Sequence, residues 1–453
     1  AAAGYAAAAA DQSCGLYAYR EAAAVLSGAL GVLDAAHDDD PTLRLDLLCD
    51  LVSAQAHAGA VATARQTRLL AAATARRLAD PLSLGRALGA FDAPVTWTVR
   101  ENGVLDRAVV DDVEAALAGL PADADRIRCR LLCTLVFEVE GMDEERAEAA
   151  AAQALTLAEQ IGDPQLLCQA LNARYFAALA TQDAAEIETI GRRLLAVASA
   201  AGRLGFQAQA HHILCLAALG HNDLDTAKEH VDRAVAHSTT GQLGLTLAIL
   251  QILDALRALV AGRFDEAEAR YTELAAQIGR HGGANAQSIA VLGRFFVHLA
   301  AGRSRESVGD LRGFHAVLPT AEVTEIYVRA LIDDGRWDEA RRVWHPADPI
   351  GAGYYWLLFH AVRAENAVLL GALDVAADSH RTLLPWAGRM AGLSSGSLTA
   401  GPIDLALGDL ARMLGRPEEA AGHYRAAAGL ADRLGGAHWA QQARTALQEI
   451  TER

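Results

Sequence analysis

Apolar residues fall at helical spacing along most of this chain. Between Leu247 and Ile278, Leu247, Leu250, Leu253, Leu256 and Leu259 follow one another at such spacing. A short polar turn interrupts them, and Phe264, Ala267, Tyr271, Leu274 and Ile278 then resume the pattern. This predicts two helices joined by a tight turn. No alternating stretch of useful length appears, so no sheet is expected.

The turn recurs. It reads Gly-x-x-(Asp/Glu)-x-Ala at Gly262, Gly335 and Gly415, with looser copies at Gly59, Gly103, Gly141, Thr181, Gly220, Gly302 and Gly371. Successive copies stand 33 to 44 residues apart. Each residue type has a physical task. Glycine supplies the left-handed conformation that ends a helix. The acidic residue enters the first turn of the next helix, where the dipole favours negative charge. The small alanine lets two helices approach closely. A second punctuation, at Gly162, Gly202, Gly241, Gly279 and Gly435, ends the other helix. Asp-Pro follows two of the outgoing helices, at Asp80-Pro81 and Asp163-Pro164, and HDDDP (His37 to Pro41) is an acidic turn of the same kind. Tetratricopeptide units repeat at about 34 residues and HEAT-type units at about 40–47. The predicted fold is therefore all-α: a superhelical solenoid of about ten tetratricopeptide-like hairpins, forming one unit over residues 1–453. A candidate seam lies at 345–353 (HPADPIGAG), and GLSSGS (Gly392 to Ser397) is a second irregular loop.

Composition supports helices. The chain is 52% hydrophobic but only 5% aromatic, and it has just 11 prolines in 453 residues. Its net charge of −16 disfavours non-specific binding to nucleic acid or an anionic membrane. No apolar run is long enough to span a bilayer, and the Ala1–Ala10 stretch lacks the positive region of a signal peptide. Cys14, Cys49, Cys129, Cys133, Cys168 and Cys215 form no C-x-x-C pair and read as small buried hydrophobes of a reducing, cytoplasmic protein.

Little in the sequence points to catalysis. It has no phosphate-binding loop, no HExxH and no zinc-ribbon spacing. Cys129 and Cys133 share a helix face, better read as core than as a metal site. The adjacent His211 and His212 point different ways around a helix. No catalytic residue, cofactor or metal is expected, and the chain is read as a non-enzyme. Several polar and aromatic residues do interrupt the helices: Asn172, Arg174, Tyr175, His211, His212, Arg294, Phe295, Tyr327, Tyr354, Tyr355, Trp356 and His360. They form either an exposed face with inter-repeat packing or the lining of a concave groove made by first helices. On the groove reading, Arg174, Tyr175, His211, Arg294 and Tyr355 are the candidate ligand residues. Five of six tryptophans fall in the last third (Trp337, Trp344, Trp356, Trp386, Trp439), as a ligand-facing cluster or a bulkier core.

Several stretches carry a resemblance. RALGAFDAPVTWTVRENGVLD (Arg86 to Asp106), RCRLLCTLVFEVEG (Arg128 to Gly141), GDPQLLCQALNARYFA (Gly162 to Ala177), LLPWAGRMAG (Leu383 to Gly392) and the run from Leu414 to Thr445 resemble the C-terminal region of large SARP-type regulators. The start, from Gly4 to Leu30, is similar to the first hairpin after their ATPase module. SARP-type proteins are pathway-specific transcription activators of antibiotic biosynthesis in actinomycetes, related to large LuxR-type ATP-binding regulators. The resemblance spans nearly the whole chain, but its motifs are structural. It implies a sensor domain that binds a small effector or a protein and controls upstream ATPase and DNA-binding modules. Neither module is present here, so an excised domain or a protein made of this part alone is expected, with no nucleic-acid or nucleotide binding of its own. The alternative is a generic tetratricopeptide adaptor for protein–protein interaction.

Overall fold

In a computed structural model, which describes residues 2–36, 40–101 and 104–452, the chain is all-α and winds as consecutive helical hairpins. Ala2–Gly15 pairs with Tyr19–Ala36, and Pro41–His57 with Val61–Leu78. The short Pro81–Leu88 and Arg107–Gly119 follow, then the regular pairs Asp125–Val139 with Glu144–Ile161, Pro164–Ala178 with Ala184–Ala200, and Leu204–Gly220 with Leu224–Thr240. Gly244–Leu250 and Ile252–Val260 together form one first helix, which turns into Phe264–Arg280. The next hairpins are Ala286–Ala300 with Val308–Val317, Ala321–Asp333 with Trp337–Val343, Trp356–Leu370 with Leu373–Leu383, and Ile403–Met413 with Pro417–Leu434. Ala437–Thr451 covers the last pair. No described helix is long and apolar enough to cross a membrane.

The turn chemistry works as the residues suggest. Gly262 and Gly415 adopt φ of 71° and 74°, the left-handed region open to glycine. At Gly220 and Thr181 a neighbour takes that conformation instead, Asn222 and Gln182 respectively. Asp40, Asp80 and Asp163 each cap a helix that starts with proline; the Asp163 carboxylate accepts from the N–H groups of Gln165 and Leu166. Ala267 and Ala340 are fully buried between helices. Small residues also make room for tyrosines. A Cβ on Gly408 would lie 2.5 Å from the Tyr424 ring, and one on Gly293 would intrude on the Tyr271 ring.

Two features depart from the sequence reading. The turn expected at Gly103 lies outside the described residues, and the described residues on either side, 89–101 and 104–106, are non-helical. A minimal sheet also exists: Met390–Ala391 pairs antiparallel with Gly401–Pro402. It forms because residues 384–402 run inward as a folded loop whose two ends meet and exchange backbone hydrogen bonds.

Both irregular segments lie against helices far away in sequence. The backbone of Val95 exchanges two hydrogen bonds with the Asn172 amide, at 2.7 and 3.1 Å, and Gln165 and Gln169 both donate to the carbonyl of Asp92. The Asn285 amide donates to Arg100 O. On the other segment, Asn222 bonds Gly388 O and Met390 N, and the Tyr271 hydroxyl donates to Ser397 O at 2.6 Å. The loop 344–355 reaches across as well: Gln182 donates to Gly353 O, and the Tyr354 and Tyr175 hydroxyls are 3.0 Å apart. Buried backbone groups need such partners when no helix or sheet supplies them.

Candidate functional site

These inward segments and the first helices line a chamber of about 410 Å³ that is partly open to solvent. Its wall is built from parts distant in sequence. Trp97, Thr98 and Arg100 come from the first inward segment, and Glu140 and Met142 from the turn after helix Asp125–Val139. Leu292, Val323 and Phe359 come from three successive first helices. Tyr354, Tyr355 and Trp356 come from the 344–355 loop and the helix start beyond it, and Ser395 and Ser397 from the second inward segment. The volume is in the range of a small-molecule pocket, about 300–1,000 Å³, and the mix of aromatic walls with a few placed polar groups is typical of one.

The polar groups are unusual for a buried place. Glu140 is 8% exposed, and burial pushes its carboxyl up to about 7; Arg100 opposes that shift and Glu144 adds to it. The Arg100 guanidinium donates to the backbone carbonyls of Val104 and Glu140. Its own burial holds its pKa below the usual arginine value. The indole N–H of Trp97 is buried with no hydrogen-bond partner among the described residues. The Tyr355 hydroxyl lies 2.9 Å from Ser397 Oγ, which ties the 344–355 loop to the second inward segment. Arg363 Nε donates to Glu325 Oε1 at 2.5 Å and its Nη2 to Asp348 O, while Trp344 and Asn366 also donate to Glu325. This buried network fixes the far side of the same loop. The chamber thus offers aromatic faces, Trp97 among them, and a carboxyl that burial raises to about 7; the Trp97 indole N–H itself is closed off within the wall.

The five residues named from sequence separate into two groups. Tyr355 lines the chamber, and Tyr175, fully buried, supports it through the Tyr354 hydroxyl. Arg174, one residue away and so about 100° around the helix, points elsewhere and pairs with Glu148 and Glu186. Arg294 pairs with Asp310 at 2.5 Å and lies 3.6 Å from Glu268. His211 Nδ1 is 3.1 Å from His230 Nδ1, and its ring stacks on His237. Those three do not border the chamber. Cys129 and Cys133 are buried and free, Cys129 Sγ donating to Ala154 O. Trp344, Trp356 and Trp386 pack on one apolar cluster, whereas Trp439 is buried beside Gly401. Sequence reasoning did not single out Trp97, Arg100, Glu140 or Ser397 as site residues. For Trp97, Arg100 and Ser397 the signal was the non-repetitive character of their segments; Glu140, in the repeat turn at Gly141, had none.

No protein-family model and no curated protein matches the sequence. Among solved structures, a Rap protein complexed with Competence and Sporulation Factor aligns over 99% of this chain and 99% of its own, with 12% identity and a TM-score of 0.45. Yeast Tom70 aligns over 99% of this chain and 88% of its own, at 12% identity and a TM-score of 0.20. A circular tandem repeat protein aligns over 100% and 96%, at 14% identity and a TM-score of 0.14. The helical pairs, their period and their turns make this chain a tetratricopeptide-like helical-repeat protein.

Proposed function

We propose that this chain is a non-catalytic recognition module that takes a small, largely apolar ligand group into its lumen chamber. The group is either a free effector or the anchoring side chain of a peptide or protein partner. One observation carries the reading: an aromatic chamber of about 410 Å³, walled in part by Trp97, that also holds the buried Glu140 carboxyl. A flat ligand that stacks on the aromatic wall and carries a donor or cation for Glu140 matches that chemistry.

The finer reading is a sensor domain of a SARP-type transcription activator, which reports ligand occupancy to upstream ATPase and DNA-binding modules. Support comes from the coincidence of two sets of residues. The stretches that resemble those regulators, Arg86 to Asp106, Arg128 to Gly141 and Gly162 to Ala177, also supply Trp97, Arg100 and Glu140 to the wall and Tyr175 behind it. A second reading, a protein adaptor, is favoured by a different feature. A groove of about 480 Å³ runs between helix Val61–Leu78 and the first inward segment, flanked by the exposed Leu69 and Val104.

Thermal melting against a panel of small aromatic amines and short peptides tests the proposal. A ligand at a hundred times its Kd stabilises by about 2.7 kcal/mol. That gain should vanish in Trp97→Ala and persist in Leu69→Ser. The reverse pattern moves the site to the outer groove.

A further inference from the structure

Near the C-terminal end of the solenoid, three ligating side chains converge in a place that the chamber does not use. His380 lies on helix Leu373–Leu383; Glu419 and His423 stand one helical turn apart on Pro417–Leu434. One ligand atom from each lies within 4.8 Å of the others. We propose that His380, Glu419 and His423 form a binding site for a divalent transition metal of the zinc class, with a fourth position open to water or to a ligand atom from a partner.

The donor set has the right chemistry. Two imidazoles and one carboxylate suit zinc and its neighbours, and three protein ligands with one open position is a known zinc arrangement. The surrounding groups prepare it further. His423 Nδ1 lies 2.7 Å from Asp404 Oδ1, and the Asp404 side chain is only 2% exposed. A carboxylate at that distance holds the proton on Nδ1 and leaves the Nε2 lone pair for a metal, the carboxylate–histidine–metal relay. Asp404 is held in turn by the Gly388 N–H, which donates to Oδ2 at 2.6 Å. His380 is 4% exposed, and its Nε2 lies 3.0 Å from Glu419 Oε1, yet the two are not aligned as a hydrogen bond. A buried nitrogen facing a carboxylate oxygen without bonding it is what two ligands of one ion look like. Arg416 lies 3.4 Å from the other oxygen, Oε2, which leaves Oε1 for the metal.

Tetrahedral zinc with bonds of about 2.0–2.2 Å places neighbouring ligand atoms about 3.3 Å apart. His380 Nε2 and Glu419 Oε1, 3.0 Å apart, need to separate only slightly to reach that spacing. Glu419, whose side chain is one-third exposed, has room to swing the short distance toward His423. The metal would staple two neighbouring hairpins and, through Asp404 and Gly388, anchor the start of the second inward segment.

The test is a cobalt titration of the whole chain after chelator treatment and dialysis. One equivalent of Co²⁺ should give the visible absorption of a four-coordinate centre, and Zn²⁺ should displace it. Glu419→Gln and the pair His380→Ala with His423→Ala should each lose that band and weaken Zn²⁺ binding at least 100-fold. Asp404→Asn should weaken it about 10–100-fold. Zn²⁺ should raise the melting temperature of the wild-type chain and not of Glu419→Gln, a partly exposed substitution that leaves the helices able to fold. Absence of the cobalt band at one equivalent, or equal Zn²⁺ affinity in wild type and Glu419→Gln, overturns the proposal and leaves His380–Glu419 and His423–Asp404 as two ordinary polar contacts.

Discussion

The hairpins between Glu144 and Thr240 and the inward segments at 89–101 and 384–402 solve the same physical problem in opposite ways. In the hairpins each backbone group bonds within its own helix, and each apolar stripe meets the next helix along. Ala147, Ala151, Ala154 and Ala158 face inward at 4% exposure or less, and the opposite face is solvated. Stability there is a sum of local units and neighbour contacts. The inward segments have no such ladder. Their backbone groups depend on amide side chains more than 70 residues away: Asn172 for Val95, Gln165 and Gln169 for Asp92, Asn222 for Gly388 and Met390. The difference shows where the chamber comes from. The regular hairpins make a wall, and the segments that break the repeat turn its lumen into a chamber.

The largest expected effect falls on the buried network behind the 344–355 loop. Glu325→Ala removes the partner of Arg363 while leaving that guanidinium buried. Such a break costs about 3–5 kcal/mol, read as a lowered denaturant midpoint. A loss below 1 kcal/mol would show that the loop is not held by Glu325. Next come two substitutions that set the regions against each other. Ala267→Trp overpacks a regular hairpin and should cost about 1–3 kcal/mol or more. Asn172→Ala strips the paired bonds from Val95, leaves a buried N–H and C=O unsatisfied, and should cost about 1–3 kcal/mol. The two should differ in ligand binding. Asn172→Ala releases the segment that carries Trp97 and should weaken chamber binding, whereas Ala267→Trp should not. Equal effects on binding would erase the distinction between wall and chamber.

This contrast also explains what was legible in the sequence. The hairpins announce themselves because helix period, αL glycine and first-turn acid are all local signals. Gly262 and Gly415 sit at their turns as the pattern requires. The chamber is not local. Asn172 stands out as a polar residue within a helix, but its partner Val95 is 77 residues away, and no periodicity links them. Arg174 and Tyr175 are neighbours in sequence, yet the turn of the helix sends one to an ion pair and the other beneath the chamber. What was visible were the breaks HPADPIGAG and GLSSGS and the aromatic run Tyr354–Trp356 beside the first of them, and all of these supply chamber wall.

A smaller effect separates the regions by pH. Burial holds His211, His212, His360 and His438 down to about 4. The fold therefore favours their neutral forms. Their contribution is complete above the unfolded value of about 6.5 and is lost as pH falls toward 4. Glu140 runs the other way. Its carboxyl, raised to about 7, favours the fold when protonated, so its contribution is present below the unfolded value of about 4.5 and fades as pH rises through 7. Urea melts across pH 4–8 should show acid destabilisation in wild type and in Glu140→Gln alike. The stability of the Gln variant relative to wild type should rise between pH 5 and 8. A difference independent of pH would mean that Glu140 titrates normally and that the chamber is wetter than its burial implies.

The smallest effect concerns the two arginines that sequence reasoning placed in a groove. The side chain of Arg174 is 20% exposed and bridges Glu148 and Glu186; that of Arg294 is 36% exposed and bridges Asp310 and Glu268. These pairs tie the first helices Pro164–Ala178 and Ala286–Ala300 to helices on either side. Exposed pairs of this kind contribute about 0–1 kcal/mol each, and the contribution shrinks with added salt. With four such pairs at about 0.5 kcal/mol each, Arg174→Ala with Arg294→Ala should therefore lower stability by about 2 kcal/mol, less at high salt. The two sites share no partner, so the single effects should add. Because neither side chain borders the chamber, ligand-induced stabilisation should match wild type in the double variant and be lost in Trp97→Ala. If the double variant loses ligand response while Trp97→Ala keeps it, recognition lies on the arginine-bearing faces of the regular hairpins, and the division between wall and chamber fails.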